Sequence, residues 1–122
     1  MAVILEDKVT FGGGIIHAGS IGILSPPSII ANQNDYNPTG LSDAHTLRLD
    51  ATANRNITGV LAQEGGRTIT LINISAFAIT LVKASALSLA SNRFQIDGNI
   101  VMNANASVII WYDITTARWR II

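Results

Sequence analysis

Residues 107–113 read S-V-I-I-W-Y-D, and this run decides the fold class because apolar side chains fall on both of its alternating faces. One face of a strand here would carry Ile109 and Trp111. The other would carry Ile110 and Tyr112. A chain of 122 residues has room for one core. We therefore expect one face to line that core and the other to be covered by a second subunit or, alternatively, by a loop or arm of the same chain.

A second run, residues 68–74, has the same two-sided pattern, since Ile72 and Ile74 alternate with Leu71. An uncovered surface of this kind usually closes into a ring of two or three copies. The sequence leaves open which face of each strand is core and which is interface. The candidate residues for the core or the subunit interface are Ile72, Ile74, Ile109, Ile110, Trp111 and Tyr112.

The rest of the chain after residue 40 shows the period of two that is typical of half-buried strands. Leu47 and Leu49, for example, alternate with polar residues. Clusters of Gly, Asn and Asp, as at 64–66 and 97–99, separate such segments. Many short strands at regular spacing predict an all-β fold, a small β-sandwich or jelly-roll-like domain over residues 41–122.

Residues 1–40 differ in composition, with three glycines at 12–14, the pair Pro26 and Pro27, and an Asn-rich stretch at 32–37. A helix cannot continue through such a segment. The segment is nevertheless rich in Ile, Leu and Val, unlike a disordered linker. We therefore expect an extended N-terminal arm that packs on another surface.

The charge composition excludes several classes of protein. Basic residues number 8 and acidic residues 8, so the formal net charge is 0, and charged residues make up 13% of the chain against 48% hydrophobic ones. A nucleic-acid binder needs a basic stripe, and a bilayer span needs about 20 consecutive apolar residues, so we expect neither partner. A surface this poor in charge favours a working state wrapped by other subunits.

Few residues in the sequence suggest chemistry. The chain has no cysteine, and residues 14–20 have the outer glycines of a phosphate-binding loop without its lysine. His45 stands near Ser42 and Asp43, which is the arrangement that a small hydrolase would use. We predict no catalytic residues, no metal site and no cofactor. An oxygen-rich cluster is favoured as a turn over a calcium site; its members are Asn32, Asn34, Asp35 and Asn37.

Seven motifs follow one another between residues 34 and 120. They are N-D-Y-N-P-T-G-L (34–41), T-L-R-L-D-A (46–51), N-I-T-G-V (56–60), G-R-T-I-T-L-I-N (66–73), N-R-F (92–94), S-V-I-I-W-Y-D (107–113) and R-W-R (118–120). In this order they resemble a module of tailed-bacteriophage structural proteins, which is met in head decoration proteins and near the ends of tail fibres. None of these residues is catalytic in such modules.

The resemblance implies a structural virion protein, and a short chain with an apolar arm favours a capsid decoration, or cement, protein over a long tail fibre. Such a protein would be made in the host cytoplasm and would sit as a homotrimer on the capsid surface, bound to the major capsid protein. The alternatives are a tail fibre or receptor-binding tip protein, and a hydrolase that uses His45 and Asp43. The expected capsid-facing anchors of the arm are Val3, Ile4, Leu5, Phe11, Ile15 and Ile16.

Overall fold

The computed structural model describes residues 22–122 in full and, before them, the backbone of two short strands, β1 (Val9–Phe11) and β2 (Gly14–Ile16). These two strands pair antiparallel, with Val9 opposite Ile16, and form a sheet of their own.

Eight further strands lie within residues 22–122. They are β3 (Ile23–Leu24), β4 (Thr46–Leu49), β5 (Arg55–Ile57), β6 (Thr68–Asn73), β7 (Ile79–Leu81), β8 (Ile100–Met102), β9 (Ser107–Asp113) and β10 (Arg118–Ile121). Two single turns of 3-10 helix, Leu41–Asp43 and Ala90–Asn92, complete the regular structure of this part. Within the described residues, no helix has the length and apolar character that crossing a membrane requires.

The eight strands form two sheets, which confirms the all-β class. A five-stranded sheet has the order β10-β9-β6-β4-β3, and a three-stranded sheet has the order β5-β7-β8. The pairs that involve β9 are antiparallel, as is the pair of β7 with β8. The pairs β3–β4, β4–β6 and β5–β7 are parallel. The sheets are therefore mixed, whereas a jelly roll is built from antiparallel pairs.

The parallel pairs share one sequence offset. Thr46 pairs with Thr70, and Arg55 pairs with Ile79, which is a step of 24 residues in both sheets. Ile23 pairs with Thr46, one residue short of that step. The chain from Gly22 to Asn73 consequently winds as stacked coils, each of which places a strand beside the equivalent strand of the coil before it.

Both sheets turn one face to a single hydrophobic core. Leu47 and Leu49 of β4, and Ile79 and Leu81 of β7, are buried in it. Alternation along the strands places every second side chain inside, as the sequence period of two predicts. Equivalent residues of the other strands complete this core, with Phe94 and Leu41 from the segments between strands.

Trp119 is the largest buried side chain among the described residues, and it connects strand β10 to β9 and to the segment around Val60. Its exposed fraction is 0%, and its ring packs edge-on against Tyr112 with centroids 5.0 Å apart. The indole Nε1–H donates a hydrogen bond to the Val60 carbonyl at 2.8 Å. A buried indole needs such a partner for its one polar atom, so strand β10 is held in register with residues from the middle of the chain.

Residues 22–40, which the composition assigns to the arm, pack into the same core as residues 41–122. Ile29 and Tyr36 are buried, and backbone hydrogen bonds join Ile29 to Asp50 and Tyr36 to Gly59. The proline-rich and Asn-rich segment is irregular because isolated bridges replace continuous ladders there. The described packed unit therefore begins at Gly22.

Candidate interaction surface

The outward face of the five-stranded sheet carries apolar side chains that nothing within the described residues covers. We call it the outer sheet face. Ile109 on β9 is 42% exposed and Ile23 on β3 is 50% exposed. Both alternate with core residues, so they point away from the core. The outward apolar and hydroxyl residues of this face are Ile23, Thr46, Thr70, Ile72, Ile109 and Trp111, and the exposed Arg48 lies among them beside Ile72.

One row of side chains crosses the outer sheet face from β9 to β3. Ile109 lies opposite Thr70, Thr70 beside Thr46, and Thr46 beside Ile23. Neighbouring β-branched side chains on one face pack against each other and leave few polar groups exposed. The row therefore presents methyl groups at its centre and larger apolar side chains at its two ends.

The outward face of the three-stranded sheet has a different character. Its strands place Asn56, Thr80 and Val101 side by side. Val101, 55% exposed, is the one large apolar residue of this row. Since scattered exposed apolar residues are normal and contiguous ones mark interaction sites, the two faces of the molecule are not equivalent.

An ion pair borders the outer sheet face beside Trp111. Arg120 Nε donates a hydrogen bond to Asp113 Oδ2 at 2.6 Å, and Arg120 lies next to Trp111 in the sheet. The guanidinium lowers the pKa of Asp113, mainly through this hydrogen bond. The pair holds the end of the β9–β10 hairpin and leaves a polar rim beside the apolar face.

The predicted core and interface residues divide between two environments. Ile110 and Tyr112 are buried, with exposed fractions of 0% and 1%, and belong to the core. Ile109, Trp111 and Ile72 belong to the outer sheet face, where Trp111 and Ile72 are half-buried. Ile74, 41% exposed, follows the end of β6.

The predicted arm anchors fall in the first part of the chain. Val3, Ile4 and Leu5 lie outside the described residues. Phe11 lies on β1, opposite Gly14. Ile15 and Ile16 lie on β2, and their backbones are the part that the structure describes.

A cluster of polar side chains connects the first coil, residues 23–45, to the segment before β8; Thr58, Ser88 and Asn92 in this cluster are buried. The Thr58 hydroxyl lies 2.7 Å from the Ser88 hydroxyl and donates a hydrogen bond to Asn34 Oδ1 at 2.7 Å. Asp35 Oδ1 accepts hydrogen bonds from the Leu89 backbone and from Asn92 Nδ2. The Asn92 bond is the main reason that the pKa of Asp35 is lowered. These hydrogen bonds connect separate segments of the chain and so form a network that stabilises the fold.

The oxygen-rich cluster is used for internal hydrogen bonds. Asn32 Oδ1 accepts from the Asn56 backbone N–H, in addition to the bonds of Asn34 and Asp35 given above. Among the described residues, no group of three or more His, Asp or Glu side chains is close enough to hold a metal ion. The side-chain oxygens of Asn32, Asn34 and Asp35 therefore accept hydrogen bonds from within the fold.

The hydrolase arrangement around His45 is not assembled in the described part of the chain. Asp43 lies in the first 3-10 turn and is exposed, as is Ser42. The His45 ring packs so closely on Gly22 that a side chain at that glycine would overlap its Cδ2 atom. No hydrogen bond or ion pair links His45 to Asp43 or Ser42 among the described residues. A nucleophile and base need such contact.

Two functional features had no signal in the sequence. Ile23 joins the outer sheet face although its neighbours in sequence suggest an arm, because the parallel pairing with β4 brings it there. The Thr58–Ser88 contact joins residues 30 apart, and no motif links the two positions.

Comparisons with known proteins give no match: no family model, no curated protein and no solved structure is similar enough to this chain to be reported. The functional proposal therefore depends on the motifs of the chain and on the geometry of its surfaces.

Proposed function

We propose that this chain is a capsid decoration, or cement, protein of the tailed-bacteriophage type, a structural component of the virion without enzymatic activity. In this proposal the two sheets act as a small sandwich-like domain that forms a homotrimer on the outer surface of the head. An extended N-terminal arm reaches to neighbouring copies of the major capsid protein. The protein is made in the host cytoplasm and acts without cofactor, nucleic acid or membrane.

The observation that carries the proposal is the outer sheet face. It places Ile109, Ile23 and the half-buried Trp111 on one face of a sheet, with Arg48 and the Arg120–Asp113 ion pair beside them, in a chain of which 13% is charged. Burial of apolar surface contributes roughly 25 cal/mol per Å² before ordering costs, so a contiguous face of this kind favours association. A second copy of the chain is the occupant with the matching chemistry, since β-branched side chains pack well against their like.

The arm adds weak contacts that act together. Three arms held on one trimer would bind with a high effective concentration, so that the trimer dissociates slowly although each arm binds weakly. The proposed anchors Val3, Ile4, Leu5, Phe11 and Ile15, with Ile16, supply apolar side chains suited to a groove between capsid subunits. The resemblance of the seven motifs to phage structural modules supports this assignment.

The trimer is tested by light scattering with matched substitutions. The wild-type protein should have three times the 13.0 kDa mass of the chain. Ile109→Asp should give monomers, because a carboxylate would be buried in the interface between subunits. Val101→Asp, at an exposed apolar position on the other sheet, should leave the mass unchanged. A monomeric wild-type protein would contradict the proposal.

The capsid location is tested by adding a labelled copy to heads that lack decoration. The labelled protein should bind the shell at three-fold or quasi-three-fold positions, and removal of residues 1–21 should abolish attachment while the trimer persists. Binding at tail tips, or full attachment without the arm, would reject the decoration function.

A tail fibre or receptor-binding tip is the second candidate, and one surface pocket favours it. The pocket has a volume of about 370 Å³ and is lined by Gln95, Asp97 and Arg120 among others. Carboxamide, carboxylate and guanidinium groups together suit the hydroxyls of a glycan. This candidate predicts binding of the purified protein to host cells, and Gln95→Ala with Asp97→Ala should weaken that binding; a decoration protein would not bind cells.

A further inference from the structure

The first coil of the fold has an open end. Residues 23–45 stack on the next coil through the pairs Ile23–Thr46, Ile29–Ala51 and Tyr36–Val60. Within the described residues no strand pairs with the opposite edge of β3. An exposed parallel edge offers unpaired N–H and C=O groups and is usually covered in native proteins.

A pocket opens at this same end of the fold. Its volume is about 300 Å³, and all of its lining residues belong to the first coil. Pro26, Pro27 and Pro38 make much of the wall, and Thr39 lies at its exposed rim. Proline has no N–H to offer, so this wall presents apolar surface and carbonyl oxygens.

Tyr36 gives a second observation at the pocket. The side chain lines the pocket and is 7% exposed, and its hydroxyl has no hydrogen-bond partner among the described residues. Burial raises the pKa of Tyr36 to about 12. A buried hydroxyl without a partner is uncommon and is normally met by a backbone carbonyl or another polar group.

The N-terminal segment of the same chain is within reach of this end. Because β1 and β2 pair antiparallel with Val9 opposite Ile16, the two outer ends of this strand pair lie together. Residues 17–21 then span at most about 17 Å to Gly22, which precedes β3, and residues 1–8 add at most about 27 Å. An extended stretch of residues 2–5, A-V-I-L, would offer apolar side chains to the proline wall and a backbone to β3.

We propose that residues 2–5 dock as an extended segment along the free edge of β3 and over the first-coil pocket of their own chain. The tether makes this contact intramolecular, so weak contacts suffice. Backbone carbonyls of the segment supply acceptors for β3 and for Tyr36. The inference concerns the isolated protein and does not depend on the capsid function. On a capsid, residues 2–5 would leave the edge of β3 and bind a capsid subunit.

Engineered disulfides test the docking directly, since the chain has no cysteine of its own. The test variant combines Ile4→Cys with Thr39→Cys at the pocket rim. The control combines Ile4→Cys with Thr115→Cys, an exposed position in the turn before β10, at the opposite edge of the five-stranded sheet. Under mild oxidation at low protein concentration, the test pair should close within one chain at least about tenfold faster than the control pair.

Two results would overturn the proposal. Equal closure rates for the two pairs would mean that the segment has no preferred site. Disulfide-linked dimers of the test variant, seen on a denaturing gel without reductant, would mean that a second copy covers this end.

Hydrogen exchange gives an independent readout that needs no cysteine. Ile4→Asp should raise the exchange rate of the Ile23 amide at least about tenfold relative to the full wild-type chain, while the amides of β9 keep their protection. Unchanged exchange at β3 would reject docking, whatever the outcome of the capsid attachment test.

Discussion

At the scale of single residues, Asn73 shows how one amide side chain holds several segments together. Its Nδ2 group donates to the Phe77 and Met102 carbonyls at 2.7 and 2.8 Å, and its Oδ1 atom accepts from the backbone and hydroxyl of Ser75. The exposed fraction of Asn73 is 0%. All four hydrogen-bonding positions of the amide are therefore used in a place that water does not reach.

Asn73→Ala should lower the free energy of unfolding by at least about 3 kcal/mol, because it leaves several buried partners unsatisfied at roughly 1–3 kcal/mol each. Urea denaturation followed by tryptophan fluorescence measures the loss. Asn103→Ala, at an exposed position between β8 and β9, is the matched control and should change stability by less than about 0.5 kcal/mol. Equal effects of the two substitutions would contradict the structural role of Asn73.

Asp35 should make stability depend on acid pH. The hydrogen bonds from Asn92 and Leu89 favour the carboxylate, so the pKa of Asp35 is lower in the folded protein than its ordinary 3.8. The stabilisation is present above about pH 3.8 and is lost as the pH falls through the lowered pKa. Thermal melts between about pH 6 and pH 2 should show the difference in melting temperature between wild type and Asp35→Asn shrinking below about pH 3.8. The control variant Asp43→Asn shows the effect of losing an exposed carboxylate. If the melting temperature difference between wild type and Asp35→Asn did not vary with pH, the prediction would be refuted.

At the scale of elements, the sequence predicted strands after residue 40 and how their side chains alternate, but it assigned β1, β2 and β3 to an arm and did not predict which strands are neighbours. The split of Ile110 and Tyr112 from Ile109 and Trp111 follows from the period of two alone. Periodicity contains no information about the partner of a strand, and the parallel pairing of β4 with β6 depends on how the whole chain winds. The contribution of Ile23 to the outer sheet face was missed for the same reason, because it depends on the pairing of β3 with β4.

The contact between coils predicts a sharp difference between two glycines. A Cβ atom at Gly59 would lie 2.5 Å from the Asn92 carbonyl oxygen and 2.6 Å from Ser88 Oγ. Gly59→Ala should therefore destabilise the protein by about 1–3 kcal/mol through overpacking. Gly98→Ala, where a Cβ atom meets nothing within 4 Å, should be tolerated. Chemical denaturation compares the two, and a tolerated Gly59→Ala would mean that this crossing of segments is looser than described.

At the scale of the whole molecule, the boundary between arm and packed unit can be located by deletion. Removal of residues 1–21 leaves β3 and Ile29 in place and should preserve cooperative unfolding. Removal of residues 1–30 takes away β3 and the buried Ile29, whose loss alone is worth about 2–5 kcal/mol, and should strongly destabilise the protein. Circular dichroism during thermal unfolding distinguishes the two; a stable protein without residues 1–30 would put the boundary nearer to residue 40.

The position of Trp119 also bears on how the protein is made. The indole fills the centre of the core and bonds to Val60, a residue synthesised 59 positions earlier. A nascent chain that ends before residue 119 lacks both the largest side chain of the core and the hydrogen bond to Val60. The core can therefore be completed only when the last few residues have been synthesised.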